Sequence, residues 1–190
     1  MLKRCDWCGD NPRYIAYHDE EWGIPQYDSQ VIFEFLCLEG MQAGLSWITI
    51  LNKRDALRAA FADFDPARLV HFNEKTVDRL ATNPDIIRHR KKIMAVIHNA
   101  KQFLALAERE DVVTFFWQFV DGQAIQNRWR QLQDVPASTA TSVTMAKALK
   151  QAGFQFVGPT ICYAFMQAIG MVNDHLTDCF RHEQVASSRG

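Results

Sequence analysis

Apolar residues recur at three- and four-residue spacing along nearly the whole chain, so the sequence reads as helical almost throughout. The segments VIFEFLCLEGMQAG (31–44) and LSWITILNKRDALRAAFADF (45–64) both carry this period. Asp65-Pro66 sets a capping residue before a proline suited to a first helical position, which predicts a helix start there. IIRHRKKIMAVIHNAKQFLALAERE (86–110) predicts a long amphipathic helix, with Ile86, Ile87, Ile93, Val96, Ile97, Phe103 and Leu104 near one face. VVTFFWQFV (112–120) has the composition of a strand, but its shortness and its helical neighbours favour a buried helix. Residues 121–141, with Pro136 and many Ser and Thr, read as a loop. Helices resume over 142–153 and 159–170, each stopping at a glycine, and HEQVASSRG reads as a frayed tail.

Composition narrows the class. A chain of 190 residues, 48% hydrophobic and 23% charged, suits a folded, water-soluble protein with one core, or two small lobes sharing an interface. The start MLKRCDWCGD has no apolar segment of a secretory signal, and no run approaches the roughly 18 apolar residues of a membrane span. Five scattered cysteines (5, 8, 37, 162, 179) do not resemble a disulfide framework and point to a reducing, cytoplasmic setting. Net charge is -1, so a polyanionic partner must be met by a local patch. Alone, that argues mildly against nucleic acid.

Three places carry candidate chemistry. His175 and Cys179 lie four apart, so on a helix both could reach one metal ion. CDWCGDNPRYIAYHDEEWG (5–23) offers the other two ligands of a closed tetrahedral zinc site. Pairing Cys5 with Cys8 gives Cys3His, and pairing Cys5 with His18 gives Cys2His2; spacing alone favours Cys8. The bland alternative is four unconnected residues, with Cys179 a small buried hydrophobe. Second, GFQFVG (153–158) is a short turn between helices, and its backbone N–H groups suit a DNA phosphate without side-chain charge. Lys147 and Lys150 lie nearby, and RHRKK (88–92) is a second candidate phosphate surface. Third, Glu39 sits in an otherwise apolar helix, and Trp7, Tyr14, Tyr17, Trp22 and Trp47 form an aromatic excess around it in sequence. Aromatic rings beside one acidic acceptor make a socket for a flat, cationic heterocycle.

These blocks, YIAYHDEEWG, CLEGMQAGLSWITIL, IIRHRKKI, GFQFVGPTICYAFMQA and VNDH in that order, resemble the bacterial family of 3-methyladenine DNA glycosylase I, within the helix-hairpin-helix glycosylases. The resemblance implies an all-α, two-lobed fold in a single domain over 1–190, with the helix-hairpin-helix motif at about 142–170. A structural zinc would staple the segments about 1–23 and 173–182 through Cys5, His18, His175 and Cys179, leaving Cys8 out. Glu39 would be catalytic, Tyr17 and Trp47 would hold the base, and Tyr14, Trp22 and Trp7 would stand nearby. Gly153, Phe154, Phe156, Gly158, Thr160 and Lys150 would meet double-stranded alkylated DNA. Most of the superfamily carries an aspartate where VNDH has Asn173, but this family lacks it.

The implied reaction is monofunctional hydrolysis of the 3-methyladenine glycosidic bond after base flipping, by a cytoplasmic monomer that releases 3-methyladenine. The loop QAGL (42–45) is the candidate for filling the gap left by the flipped base. A nucleobase deaminase is excluded because no P-C-x-x-C completes its H-x-E and P-C-x-x-C signature. A zinc hydrolase needs an open metal position that four protein ligands do not leave. The remaining alternative is a binder of alkylated DNA that cleaves nothing.

Overall fold

The computed structural model describes residues 2–187. Helices dominate the described chain: α1 (Pro12–Glu20), α2 (Ser29–Gln42), α3 (Trp47–Ala60), α4 (Pro66–Leu69), α5 (Glu74–Ala81), α6 (Arg90–Ala107), α7 (Val112–Trp117), α8 (Ala140–Gln151), α9 (Pro159–Ala168) and α10 (Phe180–Ser187). Most begin with a side chain that accepts the orphan first-turn N–H groups. Asn11 does this for α1, Asp28 for α2, Asp65 for α4, Asn73 for α5 and Asp111 for α7, while Thr139 and Ser142 form a reciprocal capping box at α8. The helix start at Pro66 and the helical reading of 112–120 both hold, the latter as α7 followed by a 3-10 turn over Gln118–Val120.

Three expectations need correction. Helix α6 starts at Arg90, not residue 86: Ile86 is buried from an irregular approach, and His89 is extended and caps the first turn by accepting from Lys92 N–H. Helix α3 stops at Ala60, and Ala62, Asp63 and Phe64 turn left-handed at φ 52°, 56° and 54°. Pro66 disfavours helical geometry at Asp65, so the chain must leave the helix before it. Finally, the segment from His182 is no frayed tail through Ser187. It continues α10, which buries His182 and Val185; residues 188–190 lie outside the described ones.

The one sheet among the described residues is a two-residue parallel pair, β1 (Ile125–Gln126) with β2 (Val172–Asn173). It joins the 121–141 loop to the C-terminal segment, a non-local pairing that no local period encodes. Gly170 enables a second close crossing. It adopts φ +73°, and a Cβ there would lie 2.3 Å from the Ile24 carbonyl carbon.

Helix α2 is the centre of the fold. Its residues Ile32 to Met41 are all buried, and it packs on α3, α6, α7 and α9. Glu34 within it is paired: Arg54 Nε donates at 2.8 Å and Arg58 Nε at 2.9 Å to Oε1, and Arg58 Nη2 at 3.2 Å to Oε2. Arg54 also donates to Glu21 at 2.7 Å. Removing one partner of a buried ion pair strands the other charge. Because Arg58 is partly exposed and stays in place, Arg54→Met is expected to lower unfolding free energy by about 3 kcal/mol, the low end for such losses. Urea denaturation measures it, and a loss below about 0.5 kcal/mol, typical of exposed pairs, would mean that water already screens this cluster.

Candidate functional site

Trp7, Tyr14, Tyr17, Glu39 and Trp47 converge on one cavity of about 180 Å³, with Trp22 at its wall. Each arrives by a different local device. Tyr14 and Tyr17 are three apart on α1 and share its face. Trp7 rides on a 3-10 turn over Asp6–Cys8, Trp47 opens α3, and Glu39 projects from the last turns of α2. Trp7 packs at 5.0 Å on Tyr14 and 4.9 Å on Trp22, and Tyr17 at 5.4 Å on Trp47, ring centre to ring centre. Size is selective. A cavity of about 150 Å³ takes a benzene ring and drug-sized ligands need about 300 Å³ or more, so this one suits a single heterocycle.

Two groups in the cavity lack partners. Glu39 is 4% exposed, and no protein group among the described residues hydrogen-bonds its carboxyl. Burial pushes its pKa up to about 8, so the empty site holds it protonated at neutral pH. The contrast with Glu34, five residues earlier on the same helix and triply bonded, rules out a satisfied structural pair at position 39. The Trp47 indole N–H is buried and equally unpartnered. Burial, then the neighbouring Glu39, raises the Tyr17 phenol well above its usual range, so it remains an O–H.

Asp174, which also lines the cavity, was not found from the sequence. Its Oδ1 accepts from Asn127 Nδ2 at 2.7 Å and Trp129 Nε1 at 2.8 Å; its Oδ2 accepts from Tyr163 O–H at 2.7 Å and Gln167 Nε2 at 2.8 Å. The signal available was an acidic residue beside a candidate metal ligand. Its four donors come from two distant segments, the 121–141 loop and α9, which no spacing reveals. The neighbouring Asn173 is fully engaged, donating to the Gln126 side-chain oxygen and the His182 carbonyl and accepting from His175 N–H.

Cys5, His18, His175 and Cys179 are all buried, and their ligand atoms lie within 4.8 Å of one another. Tetrahedral zinc with bonds of about 2.0–2.3 Å requires ligand–ligand edges of roughly 3.3–3.8 Å. The sulfur–nitrogen distances here are 3.7 Å (Cys5–His175), 3.5 Å (Cys179–His18) and 3.6 Å (Cys179–His175). The outward nitrogens are also engaged: His18 Nδ1 lies 2.7 Å from Asp19 Oδ1, and His175 Nε2 lies 3.0 Å from the Trp22 carbonyl. With the ring protons on these outward nitrogens, both inward nitrogens are unprotonated, as metal-binding histidines require, and His18 Nε2 accepts weakly from Cys5 N–H at 3.3 Å. Hydrogen bonding from Cys5, then from the two imidazoles, lowers the Cys179 thiol; pairing with Cys179 and burial raise Cys5. The residues therefore fit a tetrahedral ion. Cys8, favoured by spacing alone, turns aside and donates its S–H to the Cys5 carbonyl at 3.2 Å.

The 153–158 turn links α8 to α9 as expected, with Gly153 at φ +88° and Phe156 at +54°. Lys150 and Thr160 are exposed, and Gly158 and Phe156 half-buried. Phe154 is 4% exposed, so its side chain anchors the turn from inside and only its backbone can face outward. Gly158 precedes Pro159 without a side-chain cap, which leaves first-turn N–H groups of α9 open. In the QAGL loop, Gly44 turns at φ +79° and Leu45 stands 40% exposed.

The sequence model of the methyladenine glycosylase family matches residues 7–182. DNA-3-methyladenine glycosylase 1 of Escherichia coli K12 is 50% identical over 179 residues, 94% of this chain and 96% of that protein. The Haemophilus influenzae DNA-3-methyladenine glycosylase is 48% identical, covering 94% and 97%. A crystal structure of a 3-methyladenine DNA glycosylase I superposes with a TM-score of 0.92 at 55% identity, covering 94% of this chain and 98% of that one. The Staphylococcus aureus enzyme, whose structure addresses 3-methyladenine recognition, gives 0.90 at 37%. A match running through both the aromatic cavity and the Cys/His cluster leaves one assignment: this chain belongs to the methyladenine glycosylase family.

Proposed function

We propose that this chain excises 3-methyladenine from alkylated double-stranded DNA by hydrolysing its glycosidic bond, without a lyase step. One observation carries the reading: a buried, unpartnered Glu39 faces a purine-sized aromatic cavity. Flipping the damaged nucleotide costs a few kcal/mol, least for a weakly paired base. Stacking on Trp47 and Tyr17 repays part of that. The cationic base favours ionisation of Glu39, which gives its proton to solvent and regains one when the neutral base leaves; meanwhile its carboxylate accepts from the exocyclic amino group. When the bond from C1′ to the base breaks, its electron pair moves onto the purine and cancels the charge. Water adds to C1′ and loses a proton, so the products are neutral 3-methyladenine, an abasic sugar and one proton. A cationic base is already a good leaving group, which is why no strong general acid is needed. The α9 N–H groups with Lys150 and Thr160 would hold a phosphate, and Leu45 would fill the vacated stack.

The Cys5, His18, His175 and Cys179 set would hold zinc as a structural staple, supplying no chemistry to the reaction. Five free cysteines and the absence of a described helix able to cross a membrane accord with a cytoplasmic enzyme.

Chromatography of bases released from methylated duplex DNA tests the activity. Free 3-methyladenine without 7-methylguanine is expected; bound DNA with no base released would make the chain a lesion binder. Glu39→Gln should cut turnover about a hundredfold while the protein stays folded. Its stability difference from wild type has a definite pH dependence. The folded carboxyl keeps its proton up to about 8 and the unfolded one loses it near 4.5, so folding takes up a proton between these values. Wild-type stability therefore falls as pH rises through that window, and Glu39→Gln, which cannot titrate, should gain on it by a few kcal/mol from pH 4 to 8. A difference flat with pH would show that Glu39 is solvated. For the metal, Cys8→Ala should retain one zinc per chain by elemental analysis, and Cys5→Ala should lose it with a lowered melting temperature. Equal losses in both would return Cys8 to the ligand set.

A further inference from the structure

Helix α6 contributes nothing to the cavity wall, yet two buried polar side chains on it reach both loops assigned to DNA above. Lys92 is 7% exposed. Its ammonium donates to the Met41 carbonyl at 2.8 Å and the Ala43 carbonyl at 2.5 Å, at the C-terminal end of α2 where the QAGL loop departs. A cation there binds carbonyls that the ending helix leaves unpaired. Asn99 is 4% exposed and grips the other loop twice: its Nδ2 donates to the Gln155 carbonyl at 2.9 Å, and its Oδ1 accepts from Gln155 N–H at 2.8 Å. One residue earlier, His98 Nε2 lies 2.8 Å from the Gly153 carbonyl. A Cβ on Gly153 would sit 2.8 Å from Gln102 Oε1, one turn further along α6.

Lys92 and Asn99 are seven residues apart, two turns, and so share one face about 10 Å apart along the axis. Burying a lysine is unfavourable unless its charge has work, and both polar side chains spend their hydrogen bonds on loop backbone rather than on the core. At the loop tips, Gly44 has no atom within 4 Å of where a Cβ would stand, and Gln155 is exposed between the buried Phe154 and Val157.

We propose that α6 is a bracket that fixes the register between the gap-filling loop and the phosphate-anchoring turn, with Lys92 and Asn99 as positioning residues for base flipping. This rests on the glycosylase reading. Lys92 holds the wedge, so its loss acts after DNA has bound; Asn99 holds the anchor, so its loss acts on binding.

Single-turnover release of 3-methyladenine from methylated duplex DNA, measured across protein concentration, separates the two. Lys92→Met should lower the maximal rate constant at least about tenfold with an unchanged half-saturating concentration. Asn99→Ala should raise the half-saturating concentration about tenfold and keep the maximal rate. Lys92→Arg should recover most of the rate, and all three variants should bind free 3-methyladenine as wild type does, which checks that the cavity is folded. Variants indistinguishable from wild type, or variants losing rate, affinity and free-base binding together, overturn the bracket and leave the enzyme reading intact. A wild-type protein that binds methylated DNA and releases no base overturns both.

Discussion

From Ile32 to Met41 helix α2 touches no water, and whatever stands at position 39 must live without solvent. That constraint shapes the site. A carboxyl in such a place keeps its proton unless a positive charge is brought to it. A neutral purine gains stacking there and little more. A methylated, cationic purine gains stacking and an ion pair formed in low dielectric, where the attraction is strongest. On the proposed reading, selectivity depends less on shape than on a charge that the ligand alone supplies. The same helix displays the other solution at Glu34, where Arg54 and Arg58 neutralise the carboxylate for good. One helix thus holds a spent acid and a reserved one.

The aromatic wall is continuous with the Cys/His cluster. Trp7 lies 5.2 Å from the His18 ring and Trp22 lies 4.7 Å from His175, so residues that bound the cavity also pack on the cluster's histidines. Asp174 reinforces this junction from the C-terminal side by drawing Asn127, Trp129, Tyr163 and Gln167 onto one carboxylate. Rigidity in the cavity is therefore borrowed from bonds outside it. Pre-organisation of this kind serves a reaction whose leaving group needs little help, because positioning is most of what remains to supply.

Much of this was legible in the sequence because it is written locally. The period of α2 and α3, the Asp65-Pro66 start, the glycine stops after α8 and α9, and the isolated acid at position 39 are each decided by neighbours within a turn or two. What was not legible depends on distant contacts. The β1–β2 pair joins residues 47 apart in the chain. The left-handed turn at 62–64 reflects the exclusion of helix before Pro66 together with the packing of Phe61 on Phe64. Helix α10 forms where composition suggests fraying because His182 finds the Asn127 carbonyl and Val185 a buried slot. Cys8 misled for the opposite reason. Its spacing from Cys5 is a strong local pattern, and the fold uses the nearer carbonyl to satisfy it.

The Cys/His cluster draws its members from positions 5 and 18 and from 175 and 179, so the first and last segments of the chain meet in it. A growing polypeptide emerges from the ribosome N-terminus first and packs as it emerges. Trp7, Tyr14, Tyr17 and Trp22 are therefore made early, and wait through nearly the whole of synthesis for the segment that completes their wall. A chain stopped before residue 174 has the acid and the rings but lacks Asp174 and Leu176 of the wall and the His175 and Cys179 of the cluster. The arrangement ties the cavity wall to a segment made long after its rings.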